Sequence, residues 1–124
     1  MILAALVLLA QSAPDRWVEV VRVHGDIHSV DGQSMRIVGA HRIIWHRVVY
    51  ATPRSNGTAV TLFNEDIDCV NRTQTLLGGT DRRADGTVVE SHTIPTPEAY
   101  PVSPESVGEL ILNVMCRVGR DGGA

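Results

Sequence analysis

The side chains with the clearest chemistry in this chain of 124 residues are its two cysteines, Cys69 and Cys116. Thiols serve as a disulfide, as metal ligands or as nucleophiles, and the redox compartment decides between these roles. The chain opens with an apolar run from Met1 to Ala10, and small and polar residues follow up to Pro14. Such a run is too short to cross a bilayer but is typical of an export signal. We therefore expect a disulfide, against the alternative of one reactive and one buried thiol.

The apolar start predicts a signal peptide over residues 1–12, with cleavage before Ala13. Ala10 and Ser12 supply small residues at the spacing that cleavage requires. No basic residue precedes Arg16, so either the start codon lies upstream or the terminal amino group supplies the positive charge. The alternative is an uncleaved apolar arm. We expect export to the periplasm or to the outer cell surface.

The remaining length suits one domain, which we expect over residues 13–118, with a flexible glycine-rich tail over 119–124. No second apolar run is long enough to span a membrane, and no cysteine lies near the cleavage region to carry a lipid anchor. The net charge of −3 is mild, and every basic residue is an arginine. This composition predicts no nucleic-acid binding.

The histidines give no pattern that is typical of a metal site. His24 and His28 flank a predicted turn, and His41 and His46 have opposite parity, so one strand directs them to opposite faces. His92 stands apart from these pairs. We expect polar histidines at the surface or at strand ends, and no bound metal.

Glu65, Asp66 and Asp68 form an acidic cluster that could hold a hard cation such as Ca²⁺, but their spacing matches no dedicated loop. A solvated strand end is the simpler interpretation. No serine lies in a nucleophile motif, and no glycine-rich loop is built to bind phosphate, since Gly78-Gly79 is interpreted as a turn. We expect no enzyme activity, no cofactor and no metal, and the sequence identifies no ligand-binding residue.

The middle of the chain predicts β-strands, because β-branched residues alternate with polar residues between turn signals such as Asp31-Gly32 and Asp85-Gly86. The strand from His41 to Ala51 carries apolar residues on both faces, which predicts a central strand covered on each side. Four prolines between Pro95 and Pro104 predict an extended, strand-free connection. The predicted strands are Trp17 to His24, Ile27 to Val30, Ser34 to Val38, His41 to Ala51, Thr58 to Phe63, Arg72 to Leu77 and Thr87 to Ile94.

The last element is predicted to be an amphipathic helix. Its start is either Pro104 after a Ser103 cap, or the residue after a Ser106 cap that forms a capping box with Glu109. Cys116 points away from the centre of the apolar stripe, so either the helix unwinds before Cys116 or a curled sheet reaches around to it. The apolar stripe consists of Val107, Leu110, Ile111, Val114, Met115 and Val118.

Landmarks along nearly the whole mature chain resemble the surface-adhesin protein E-like family of bacterial envelope proteins. The family's Asp-Cys segment is matched by Asp68-Cys69, and its closing helix with a terminal cysteine is matched by Cys116. The other landmarks are Trp17-Val18, His28, Asp31, Ser34, Met35, Arg36, Ile44-Trp45, Tyr50, Arg72, Asp85-Gly86, Pro104, Ser106 and Glu109.

The resemblance implies an α+β fold with about six antiparallel strands in one sheet. A C-terminal helix would lie on the concave face of this sheet, held by a single Cys69–Cys116 disulfide. The founding member of the family is a lipid-anchored outer-membrane adhesin that binds host proteins. We therefore expect a non-enzymatic exported protein that binds a protein partner at the cell envelope by a surface patch or by strand pairing. The alternative is a structural or stress-related periplasmic protein without a dedicated ligand.

Overall fold

The computed structural model of the protein describes residues 16–119. The predicted signal peptide and the predicted tail beyond Gly119 lie outside the described residues. Eight strands form one antiparallel sheet, and a single α-helix follows them in the described part of the chain. The strands are β1 (Trp17–Val23), β2 (Asp26–Asp31), β3 (Arg36–Val38), β4 (His41–Val49), β5 (Val60–Asp68), β6 (Thr73–Arg82), β7 (Val88–Thr93) and β8 (Ala99–Pro101), and the helix is α1 (Val107–Met115).

The main path through the sheet runs β1-β2-β4-β5-β6-β7, while the short strands β3 and β8 pair with β4 and β6. Every pairing is antiparallel. This arrangement, with one C-terminal helix and one disulfide, confirms the predicted fold class. The sheet has two faces: α1 covers the helix-covered face, and the face carrying Trp17, Trp45 and Leu62 is called the open face.

The core lies between the helix-covered face and α1. Val30, Ile44 and Ile67 come from three different strands, and each is at most 2% exposed. From the helix, Leu112 is completely buried and contacts the same cluster. The complete buried cluster is Val30, Ile44, Ile67, Ile111, Leu112 and Met115.

Strand β4 is central, as predicted, because it pairs with β2 on one side and with β5 on the other. Its burial alternates strictly, so that Ile44 and Val48 are buried while Ile43 and Trp45 are only partly buried. The prediction that both faces are covered is therefore wrong. Ile43 and Trp45 lie on the open face, which the helix does not cover.

The helix begins after Ser106, which confirms the second of the two predicted starts. The Ser106 Oγ accepts a hydrogen bond from the Glu109 amide at 3.1 Å, and the Glu109 carboxylate accepts one from the Glu105 amide at 3.1 Å. The first bond satisfies a backbone donor of the first helical turn, and the second holds the residue before the cap.

The buried stripe of α1 differs from the predicted stripe. Leu112 is in the core, whereas the predicted Leu110 and Val118 are 45% and 38% exposed. Ile111 and Met115 are buried and Val107 and Val114 pack against the core, as predicted, and Leu112 joins them. The predicted stripe is therefore confirmed at four positions and wrong at Leu110 and Val118.

The helix ends at Met115, and Cys116 is the residue that caps its C-terminus, as the first predicted alternative requires. Cys116 forms the disulfide with Cys69 just after β5, with 5.6 Å between the two Cα atoms. The buried Arg42 guanidinium also donates to the Val118 carbonyl at 3.0 Å. One covalent bond and one buried cation thus fix the end of the helix on the sheet.

Two glycines that were interpreted as a turn lie inside β6, so that interpretation is wrong. A Cβ on Gly78 would lie 2.8 Å from the His92 carbonyl oxygen, and one on Gly79 would lie 2.9 Å from the Leu62 carbonyl oxygen. Next to them, Leu77 is an extra residue that has no partner in the register with β5. The glycines therefore permit a close approach of three strands at a β-bulge.

The proline-rich connection is not strand-free, which corrects another prediction. Ala99–Pro101 form β8 and pair with Thr73–Thr75 of β6. Proline is tolerated here because β8 is a short strand at an edge, where a missing amide donor breaks few hydrogen bonds.

Candidate functional site

The open face of the sheet carries both tryptophans of the chain, Trp17 on β1 and Trp45 on β4. The guanidinium of Arg47 lies over the Trp17 ring, 4.6 Å from its centroid. Strand alternation explains the grouping, because Trp45 and Arg47 are two residues apart and share a face. The result is a partly exposed aromatic surface with a cation stacked on it.

A groove of about 290 Å³ runs along this surface. Arg82 reaches it from the end of β6, while Leu62 and Thr80 form its floor on β5 and β6. The complete lining is Arg16, Trp17, Asp31, Trp45, Leu62, Thr80 and Arg82. We call this lining together with Arg47 the Trp–Arg surface.

Asp31 anchors one end of the Trp–Arg surface. Its side chain is 2% exposed, and its Oδ2 accepts a hydrogen bond from the Arg16 guanidinium at 2.6 Å. Its Oδ1 accepts bonds from the Gln33 and Ser34 amides in the turn that follows β2. Burial alone would raise the pKa of Asp31, but the hydrogen bonds from Arg16, Gln33 and Ser34 and the charge of Arg16 lower it to about 2.

The helix-covered face carries a buried polar chain of three side chains. His46 on β4 faces Glu65 on β5, with 2.7 Å between His46 Nδ1 and Glu65 Oε1. The other ring nitrogen of His46 lies 2.9 Å from the Nδ1 of His28 on β2. The pKa of His28 is lowered, first by burial and then by the neighbouring His46, against smaller opposing effects of Asp26 and Glu65. Neutral His28 is therefore favoured at neutral pH.

The predicted acidic cluster is divided between the two faces. Glu65 is 2% exposed and belongs to the buried chain, so the interpretation of the cluster as a solvated strand end is wrong for this residue. Asp66, on the other face, lies 2.9 Å from the His41 ring, and its hydrogen bond raises the pKa of His41. Asp68 accepts hydrogen bonds from the Val70 and Asn71 amides and closes the turn after β5.

The histidines of β4 point to opposite faces as predicted, but their surroundings differ from the expectation. His41 is partly exposed, whereas His46 is 7% exposed and is not a surface histidine. Within residues 16–119, no group of three or more His, Cys, Asp or Glu side chains is placed to hold a metal ion. No helix in the same range is long and apolar enough to cross a membrane.

Sequence reasoning missed both the Trp–Arg surface and the buried polar chain. The parity of Trp45 and Arg47 was a usable signal for the first, since both fall on the same side of a predicted strand. The partnership of His46 with Glu65 depends on the register between β4 and β5, in which Ile44 opposes Glu65 and His46 opposes Phe63. No local pattern in the sequence encodes that register.

These observations define a class of protein: a small disulfide-bonded domain with one antiparallel sheet, one helix-covered face and one open face. The sequence profile of the family described as surface-adhesin protein E matches residues 17–117, and the chain belongs to this family. The resemblance drawn from the landmarks is thereby confirmed.

Solved structures with the same fold support this assignment. Crystal form II of Haemophilus influenzae protein E superimposes with a TM-score of 0.64 at 10% identity, covering 86% of this chain and 91% of that chain. Protein E from non-typeable Haemophilus influenzae gives a TM-score of 0.64 at 10% identity, covering 89% of this chain and 81% of that chain. The selenomethionine form of Haemophilus influenzae protein E gives a TM-score of 0.65 at 11% identity, covering 89% of this chain and 93% of that chain. No curated protein sequence matches the chain significantly.

Proposed function

We propose that this protein is a non-enzymatic component of the bacterial cell envelope that binds an acidic segment of a protein partner through the Trp–Arg surface. The observation that carries the proposal is that both tryptophans lie on the open face, next to Arg47 and Arg82. Membership of a surface-adhesin family supports a binding role. The disulfide supports the predicted export to the periplasm or outer surface, because disulfides persist in oxidising compartments.

The residue types on this surface are those that dominate binding energy in protein interfaces. Tryptophan and arginine are enriched among the few interface residues whose truncation costs 2 kcal/mol or more. Trp17, Trp45 and Arg47 are grouped around one groove, so a partner could bury all three together. A clustered arrangement of this kind is typical of an interface centre.

The charges of the surface favour an acidic partner. Arg16 is neutralised by Asp31, but no ion pair among residues 16–119 involves Arg47 or Arg82. Arg47 is held by stacking on Trp17 rather than by a carboxylate, and its Nε is buried without a hydrogen-bond partner. Two uncompensated guanidinium groups beside aromatic rings match carboxylates on a partner.

Strand pairing is disfavoured as the binding mode, since both edge strands of the main path carry a β-bulge. In β1 the register shifts at Val20, between Glu19 and Val21. In β7 it shifts at Val89, because Asp81 opposes Glu90 and Arg82 opposes Val88. Bulges twist an edge and protect it from adding another strand.

The test is a quantitative pull-down from an envelope extract of the source bacterium with immobilised protein. Trp45→Ala and Arg47→Glu should each reduce recovery of the partner at least about thirtyfold, which corresponds to a hot-spot loss of about 2 kcal/mol. Tyr100→Ala and Arg117→Glu are the matched controls, because each makes the same kind of change at an exposed site away from the open face.

A circular-dichroism melt of each variant verifies that the fold is intact. If folded Trp45→Ala and Arg47→Glu variants recover the same proteins as the wild type, binding through this surface is refuted. If the wild type recovers no specific partner and forms no oligomer, the alternative of a structural protein without a dedicated ligand replaces the proposal.

A further inference from the structure

A second cavity, of about 480 Å³, lies on the helix-covered face between the sheet and the start of α1. Its volume falls in the range of sites that bind small molecules. Phe63 and Leu76 line it from β5 and β6, and the ring of the 62% exposed Tyr100 marks its rim. Val102 and Val107 close it from the segment that enters the helix. Most of the wall is therefore apolar or aromatic.

One carboxylate lies at the floor of this cavity. Glu65 lines the cavity and is 2% exposed, and its Oε1 accepts a hydrogen bond from His46. Its second oxygen, Oε2, is not among the fully buried side-chain atoms that lack a hydrogen-bond partner within residues 16–119. A carboxylate in a mostly apolar wall is stabilised by a ligand that brings a hydrogen-bond donor.

The charged residues around the cavity favour a ligand of positive charge. No arginine lines the cavity, and the chain contains no lysine. Next to the rim residue Tyr100, Glu98 accepts a hydrogen bond from the Tyr100 hydroxyl at 2.9 Å, although Glu98 does not itself line the cavity. Glu65 is the one carboxylate in the lining, beside the polar groups of Gln74, Ser103 and Ser106, so a cation is attracted to it and an anion is repelled.

The aromatic rings favour an organic cation over a bare metal ion. The ring of Phe63 lies 5.4 Å from that of His46, measured between centroids, and so stands beside the His46–Glu65 pair. Together with Tyr100 it offers a π-face to a cationic head and apolar area to the body of a ligand. Within residues 16–119, no three His, Cys, Asp or Glu side chains are grouped so as to hold a metal ion.

We infer that this cavity binds a small organic cation, a primary amine with an apolar or aromatic body whose ammonium group donates to Glu65 Oε2. This site is separate from the Trp–Arg surface, because it lies on the opposite face of the sheet. Binding of the amine and binding of a protein partner are therefore independent properties.

The test uses 2-phenylethylamine as the probe, with the neutral 2-phenylethanol and the anionic phenylacetate as matched controls of the same body. Titrations are followed by NMR of the wild-type protein. The amine should bind with a Kd of about 1 mM or tighter. It should shift the resonances of Phe63, Leu76 and the His46 ring, and the two control compounds should bind at least about tenfold more weakly.

Glu65→Gln removes the charge and keeps the shape, and it should weaken amine binding at least about tenfold. Asp66→Asn makes the same kind of change one residue away on the open face, and it should leave the affinity unchanged. Equal binding of the amine and the alcohol to the wild type would overturn the inference. Resonance shifts confined to the two tryptophans would also overturn the inference. Both results come from titrations of the wild-type protein alone.

Discussion

Removal of the disulfide should strongly destabilise the protein. Cys69 and Cys116 are separated by 47 positions, and closing a loop of this size lowers the entropy of the unfolded chain. The loop-entropy relation gives about 4 kcal/mol for this separation, a large share of the roughly 5–15 kcal/mol that stabilises an ordinary domain. The double variant Cys69→Ser/Cys116→Ser should lose about that amount, with a decrease in Tm on the order of 20 °C.

The assay is urea denaturation of the wild type and of the double variant, each with and without reductant. Reductant should destabilise the wild type by about the same amount and leave the double variant unchanged. The Arg42 contact with the Val118 carbonyl remains in the variant, so part of the helix anchoring persists. A loss below about 1 kcal/mol would refute the argument that the covalent bond between helix and sheet is a main source of stability.

Three further changes test the local geometry by thermal and chemical denaturation. Since the pKa of Asp31 is lowered to about 2, the stability that its carboxylate contributes is present above pH 3.8 and is lost as the pH falls towards 2. Asp31→Asn should therefore lower the free energy of unfolding by about 1 kcal/mol at neutral pH, a value reduced by screening of the exposed Arg16. The variant should also lose less stability than the wild type as the pH falls from 3.8 towards 2. Gly79→Ala should cost about 1–3 kcal/mol, because the new Cβ meets the Leu62 carbonyl, and an unchanged Tm would contradict the close strand approach. Ser106→Ala should cost about 1 kcal/mol through loss of the helix cap, and a neutral effect would argue against that cap.

The parts of the fold that the sequence predicts well are those encoded by local patterns. The β-branched and aromatic residues from His41 onward define β4, and the Ser106–Glu109 spacing defines the start of α1. The disulfide followed from the expected compartment and the count of cysteines, with no geometry needed.

The parts that the sequence could not predict depend on contacts between distant segments. Gly78 and Gly79 are typical of a turn, and only the neighbouring strands show why glycine is required inside β6. The burial of Leu112 and the exposure of Leu110 were not predicted, because the flank of the α1 stripe that is covered depends on contacts with distant strands. The sequence predicts Glu65 at a solvated strand end, and only the register between β4 and β5 places it beside His46.

The central claim is that the Trp–Arg surface is the binding site, and the most direct measurement is ¹⁹F NMR of protein labelled with 5-fluorotryptophan. The chain has two tryptophans, so the spectrum has two signals, and both report on the open face. Titration with the partner recovered by pull-down should shift or broaden both signals, with no such change for the Arg47→Glu variant. Saturating binding of the partner with both signals unchanged would contradict the account.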